Sequence, residues 1–142
     1  MKKIVIIFII CIAILGTFWY IYEENKIVTN QKIAYNKKYE DLYETPIYGN
    51  SLASLINESI DNNEKNNISK DKRGLYIDDG KKSLKIEVKF LDNPNVFKGE
   101  VLYKNDISKF IELYSNSKFE LKTINYHKDT NRVKYLYFEE VE

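Results

Sequence analysis

The stretch "IVIIFIICIAILGTFWYIY", residues 4–22, decides the architecture that the rest of the sequence has to fit. Its 19 residues carry no formal charge, and as a helix they would extend about 28 Å at ~1.5 Å per residue. That length matches the roughly 30 Å thickness of the hydrocarbon core of a bilayer. Twelve of the side chains are Ile, Val, Leu or Phe, so insertion into lipid is favoured. We therefore predict a transmembrane helix over residues 1–22.

Charges on either side of the apolar stretch predict its orientation. Lys2 and Lys3 precede it, and Glu23 and Glu24 follow it. Because Lys and Arg are retained on the cytoplasmic side, we expect a single-pass signal anchor in the cell membrane with a cytoplasmic N-terminus and an extracytoplasmic C-terminal part. The residues expected to contact lipid, including aromatic residues at the outer interface, are Ile4, Ile7, Ile10, Ile14, Trp19, Tyr20 and Tyr22.

The alternative for this stretch is a signal peptide that is cleaved on export. Cleavage requires small residues at the cut site, and Cys11-Ile12-Ala13 is the best candidate. A cut there would leave only seven apolar residues, from Ile4 to Ile10, before the site. It would also release a chain that begins with further apolar residues, so we favour a retained anchor.

Composition limits the partners of the remaining part. The chain has 22 basic and 21 acidic residues, so removing Lys2 and Lys3 leaves 20 against 21. This balance gives no electrostatic reason to expect a nucleic-acid partner. The single cysteine, Cys11, lies within the apolar stretch, so no disulfide is expected outside it. The roughly 120 other residues are enough for one ordinary domain.

Residues 23–46 are predicted to continue the membrane helix as an amphipathic stalk. Tyr35, Tyr39 and Tyr43 follow one another at intervals of four and would share one helix face. They could form an interaction stripe for sugar or peptide, or a seam packed against the domain or against a neighbouring stalk. The seam is the more common role of aromatic stripes on helices. Pro46 is expected to end the stalk because it lacks an amide hydrogen.

The remaining residues, 47–142, are predicted to form an extracytoplasmic α+β domain. Leu52, Leu55, Ile56 and Ile60 give a first helix an apolar face, with Asn50 or Ser51 as its cap. The polar run 61–67 is interpreted as a solvated loop, because its spacing does not fit a calcium-binding loop.

The strand predictions rest on alternating apolar residues and turn residues. Residues 75–77 and 83–91 are predicted to pair as a hairpin through Asp79-Gly80, and residues 100–103 to form a third short strand. A second helix starts near Asn105 or Asp106, and the last two strands cover residues 118–126 and 132–138. The predicted fold class is α+β, with a helix and an antiparallel sheet on which the second helix packs.

Residues able to carry chemistry are few. His127 is the only histidine and is predicted to lie exposed in a hairpin loop. Asp78-Asp79 are placed in a turn, and Glu139-Glu140 on opposite faces of a strand. Phosphate-binding, nucleophile-elbow and zinc-ligand motifs do not occur in the sequence. We therefore predict no catalytic residue, no cofactor and no metal, and a protein that is not an enzyme.

Two stretches carry a resemblance to known proteins: "YGNSLASLINESIDNNEKNN", residues 48–67, and "INYHKDTNRVKYLYFEEVE", residues 124–142. They resemble an uncharacterised family of small single-pass membrane-anchored proteins of AT-rich Gram-positive bacteria, which implies topology and host rather than activity. The order of apolar helix, stalk and sheet also resembles pilins and pseudopilins. The prepilin leader that ends in Gly or Ala and the Glu within the apolar run have no counterpart here.

Three hypotheses for function follow. The first is a non-enzymatic anchored protein that binds a protein partner or itself, as an accessory subunit of a cell-envelope assembly. The second is a pilin-like subunit that polymerises through its apolar helix. The third is a cell-wall or ligand-binding module that uses the tyrosine-rich surface.

Overall fold

The computed structural model describes residues 2–142, with the side chains of residues 4–142. It begins with a 39-residue helix, α1 (Lys2–Glu40), and a 3-10 turn (Asp41–Tyr43) follows. The chain forms two compact units, one that ends at Tyr35 and one over Asn36–Glu142.

The first unit is the greater part of α1. Its apolar side chains from Ile4 onward are exposed, and the helix is long and apolar enough to cross a membrane. A signal sequence near an N-terminus has the same properties. The predicted continuation of this helix beyond residue 22 is confirmed. Its end is earlier than predicted, since α1 stops six residues before Pro46.

The second unit is an α+β domain, as predicted. Its elements are β1 (Ile47–Tyr48), α2 (Gly49–Lys65), β2 (Lys85–Lys89), β3 (Val96–Lys98), α3 (Gly99–Lys104), α4 (Ile107–Tyr114), β4 (Lys118–Tyr126) and β5 (Val133–Val141). The five strands form one sheet in the order β1-β4-β5-β2-β3.

The sheet is mixed, so the prediction of an antiparallel sheet is wrong for its central pair. β2 runs parallel to β5, from Lys85 opposite Tyr135 to Lys89 opposite Glu139. The other three pairs are antiparallel. Alternating residues indicate which face of a strand is buried, but the same alternation suits either direction of pairing.

The first predicted hairpin is wrong for a related reason. Residues 75–77 do not pair with β2; Tyr76 forms only an isolated bridge with Lys70. The antiparallel partner of β2 is β3, Val96–Lys98, which the sequence did not predict as a strand. Residues 100–103, predicted as a strand, belong to α3.

The two predicted helices of the domain are confirmed, but only one of their predicted caps. The Asp106 side chain accepts a hydrogen bond from the Ser108 N–H at 2.9 Å, so it caps α4. At the start of α2, Tyr48 occupies the cap position and makes no side-chain cap bond. The backbone of α2 comes very close to the end of α4 here. A Cβ on Gly49 would lie 1.9 Å from the Tyr114 carbonyl oxygen, so only glycine fits at this position.

One face of the sheet is buried against the helices and forms the core. Phe90, directly after β2, is part of this core, and its ring lies 4.5–6.1 Å from four other aromatic rings. This clustering allows the domain to bury a large apolar area without a disulfide. The main core residues of the sheet and α2 are Leu52, Ile56, Ile86, Val88, Phe119, Leu121, Leu136 and Phe138.

The polar run 61–67 is not the solvated loop that its composition predicts. Helix α2 continues to Lys65, and Asn63 is 0% exposed. The Asn63 side chain donates to the Leu84 carbonyl oxygen at 2.7 Å and accepts from the Leu84 N–H at 2.8 Å. It thereby pairs with the chain just before β2 as a neighbouring strand would.

We expect Asn63→Ala to lower the free energy of unfolding by about 2–4 kcal/mol, because it leaves two buried backbone groups of Leu84 without partners. Asn116→Ala, at an exposed position, is the matched control and should change it by less than about 0.5 kcal/mol. Urea unfolding of the full chain in detergent micelles, followed by near-UV circular dichroism, measures both. Equal stability of the two variants would contradict the role of Asn63.

Candidate functional site

The last turn of α1 is part of the domain, and two of its polar side chains bind other elements of the domain. The buried Asn36 side chain donates to the Asn131 carbonyl oxygen at 2.7 Å and accepts from the Val133 N–H at 3.0 Å. The Tyr39 hydroxyl donates to Glu58 on α2 at 3.1 Å. These bonds join the end of α1 to the β4–β5 loop and to α2.

The three tyrosines of the predicted interaction stripe differ in exposure and in the element that holds them. Tyr39 is only 1% exposed, whereas Tyr43 lies in the 3-10 turn and is 52% exposed. The Tyr43 hydroxyl accepts the Ile124 N–H at 3.0 Å, at the edge of β4. Tyr35 is half-buried and belongs to the other unit. Packing therefore accounts for Tyr39, and an interaction role for the stripe stays a prediction.

Two loops meet at one end of the sheet, and we call them the entry loops: residues 78–83 before β2 and residues 127–132 before β5. The His127 ring joins them, since its Nε2 lies 2.8 Å from the Ser83 carbonyl oxygen. The Thr130 hydroxyl donates to the Lys81 carbonyl oxygen at 2.9 Å. His127 is 1% exposed, so its predicted exposed position is wrong.

Asp79 shapes the first entry loop. Its Oδ1 accepts the N–H groups of Lys81, Lys82 and Ser83 at 2.8–3.0 Å, and Gly80 adopts a φ of 75° within the turn. Burial by itself would raise the pKa of the Asp79 carboxyl, but these three donors hold it well below its usual value. Asp79 is therefore ionised at neutral pH.

Asp78 is the second carboxylate of this loop. Its Oδ1 accepts the Gly80 N–H at 2.8 Å, and its Oδ2 accepts from Lys134 Nζ at 3.1 Å. Partial burial opposes ionisation, but the Gly80 N–H, Lys134 and His127 together lower the pKa of this carboxyl. Two negative charges thus lie beside one lysine.

Asp78, Asp79 and His127 converge, although the sequence predicted the two aspartates in one turn and His127 in a separate loop. His127 Nδ1 lies 3.4 Å from Asp78 Oδ1. One nitrogen or oxygen atom from each of the three residues falls within 4.8 Å of the others. The signal that could have revealed this cluster is the pairing of β2 with β5, because parallel strands have their entry loops at the same end.

A second feature is an apolar groove on the helix side of the domain. It is a cavity of about 230 Å³, with Asp92, Asp106 and Lys109 among the polar residues around it. Leu113 is 64% exposed at this surface. The apolar and aromatic residues that line the groove are Phe90, Phe97, Leu102, Phe110, Leu113 and Tyr114.

The groove has an acidic environment. Burial raises the pKa of the Tyr114 phenol, and the negative charges of Asp92 and Glu140 raise it further. Lys109 is the cation that lines the groove. Aromatic surface beside unbalanced carboxylates is suited to apolar groups that carry a neighbouring positive charge.

Comparison of the chain with protein-family models, curated proteins and solved structures gave no significant match. The resemblance of residues 48–67 and 124–142 to small anchored proteins of Gram-positive bacteria therefore stays a prediction. The same holds for the pilin-like architecture.

We expect Tyr39→Ala to destabilise the domain by about 3–5 kcal/mol, the range for removal of a fully buried aromatic side chain. Tyr43→Ala removes an exposed ring and one hydrogen bond, so it should lower the free energy of unfolding by only about 1 kcal/mol. Thermal unfolding of the two full-length variants compares them directly. A stable Tyr39→Ala protein would favour the platform interpretation over packing.

Proposed function

We propose that this chain is a non-enzymatic, single-pass membrane protein whose extracytoplasmic domain binds a protein partner in the cell envelope. The apolar part of α1 is the anchor, with its N-terminus in the cytoplasm. The domain outside acts as an accessory subunit of an assembly. The exposed apolar side chains of α1 and the groove beside α4 support this proposal.

The groove carries the argument for a protein partner. Its volume of about 230 Å³ lies below the roughly 300–1,000 Å³ of pockets that enclose drug-sized ligands. It is suited instead to one or two side chains of a protein segment. Concentrated aromatic and aliphatic surface is where such anchoring side chains bind.

Charge narrows the chemistry of the partner. Asp92 and Asp106 lie at the groove with Lys109 as the nearby cation, and Glu140 adds negative charge at Tyr114. The partner segment therefore presents an apolar side chain next to Lys or Arg. Its charge would mainly set the association rate and the choice of partner, while the buried side chain sets the affinity.

Site-specific photocrosslinking in native membranes tests this surface. A photoreactive phenylalanine analogue at Leu113, in the groove, should form one major crosslinked adduct. The same analogue at Lys122, an exposed position on β4, is the matched control and should not form it. Mass spectrometry should place the adduct on a partner segment with apolar and basic residues.

Two crosslinking results would contradict the proposal. One is the same set of adducts from Leu113 and Lys122, which indicates random collision. The other is recovery of the chain without any protein adduct at Leu113. Leu113→Asp should also abolish co-purification of the crosslinked partner, because it puts a charged group where the apolar side chain of the partner binds.

A pilin-like subunit is the second candidate. The observation that favours it is the continuous helix Lys2–Glu40, apolar in its first half and joined to a domain with a sheet. Pilin-type polymerisation requires processing of the N-terminus before the apolar run.

N-terminal sequencing of the protein purified from its native membrane separates the two candidates. The accessory-subunit proposal predicts a start at Met1 or Lys2, because the anchor is retained. A mature chain that begins at Ile4, the first residue of the apolar run, would instead favour the pilin-like subunit.

A further inference from the structure

The ring of His127 faces two oxygen acceptors. Its Nε2 lies 2.8 Å from the Ser83 carbonyl oxygen, which can only accept, so Nε2 carries a hydrogen. Its Nδ1 makes no hydrogen bond and lies 3.4 Å from the carboxylate oxygen of Asp78. With neutral imidazole, a lone pair would face a negative oxygen inside the protein. A proton or a metal ion between the two atoms would stabilise this arrangement.

The geometry points to a metal ion, and we propose that Asp78, Asp79 and His127 form a zinc-binding site. A tetrahedral Zn²⁺ ion with bonds of about 2.0–2.1 Å holds its ligand atoms roughly 3.4 Å apart. This is the distance between His127 Nδ1 and Asp78 Oδ1. Asp79 supplies the third ligand from within 4.8 Å of the other two.

The surroundings of the ring match those of a histidine that binds metal. Such histidines donate their other ring N–H to a carbonyl or carboxylate oxygen, which fixes the tautomer. The bond from Nε2 to Ser83 does this here. Asp79 is held in turn by three backbone N–H groups through Oδ1.

Charge and access also suit a divalent cation. Two carboxylates beside Lys134 leave the site with one net negative charge before an ion binds. A cavity of about 250 Å³ borders Asp78, so solvent has access to this carboxylate. Its lining residues are Asp78, Ser83, Lys85, Asn125, Lys134 and Tyr135.

Lys134 gives the site a feature that can be tested. Its Nζ lies 3.1 Å from Asp78 Oδ2, so the ammonium group competes with the ion for the same carboxylate. Removing this positive charge should tighten zinc binding, whereas removing a ligand should weaken it.

The test is calorimetric titration of the full chain in detergent micelles with zinc chloride. We expect about one ion per chain, with at least about tenfold weaker binding in Asp78→Asn and His127→Gln. Lys134→Met should bind several-fold more tightly. Asp71→Asn and Lys122→Met are matched controls, because Asp71 also accepts backbone N–H groups in a turn and Lys122 also pairs with a carboxylate. Both should bind zinc as the unchanged chain does.

A second measurement guards against variants that fail to fold. Zinc should raise the thermal midpoint of the unchanged chain and of Lys134→Met, since an ion that binds only the folded state stabilises it. Equal zinc affinity in the unchanged chain, Asp78→Asn and His127→Gln would overturn the site. So would an unchanged chain that does not bind zinc.

Discussion

The parallel pairing of β2 with β5 is the constraint on which the polar end of the domain depends. The two strands run in the same direction at the middle of the sheet, from Lys85 opposite Tyr135 onward. Their entry loops therefore meet at one end, where His127 contacts Ser83 and lies beside Asp78. An antiparallel pair would have placed these loops at opposite ends of the sheet, and no such cluster could form.

Two buried asparagines serve the same purpose at the start of these strands. Asn63 bonds both backbone groups of Leu84, just before β2. Asn36 bonds the N–H of Val133 and the carbonyl oxygen of Asn131, just before β5. Each amide side chain satisfies backbone groups that lack a partner strand there, so the strand entries stay paired without additional strands. The polar residues of α1 and α2 are thus part of the framework of the sheet.

Local features of this fold could be predicted from the sequence because they depend on near neighbours. Apolar and polar residues alternate over residues 84–90, and this correctly indicated that Ile86 and Val88 are buried. Successive side chains of a strand point to opposite faces of the sheet, so every second residue lies on the buried face. The cap at Asp106 was predictable because its side chain bonds a backbone N–H only two residues away. The strand that pairs with β2 could not be predicted, because a strand shows the same alternation of apolar and polar residues beside a parallel or an antiparallel neighbour. The burial of His127 depends on that pairing, so a loop histidine could not be distinguished from a site residue.

The contact between the two entry loops is tested most directly by nuclear Overhauser effects in the labelled full chain. The parallel register predicts cross-peaks between backbone protons of β2 and β5 around Ile86 and Leu136. It also predicts contacts from the His127 ring to Ser83. Cross-peaks that instead pair residues 75–77 with β2, as a hairpin through Asp79-Gly80 requires, would contradict this account.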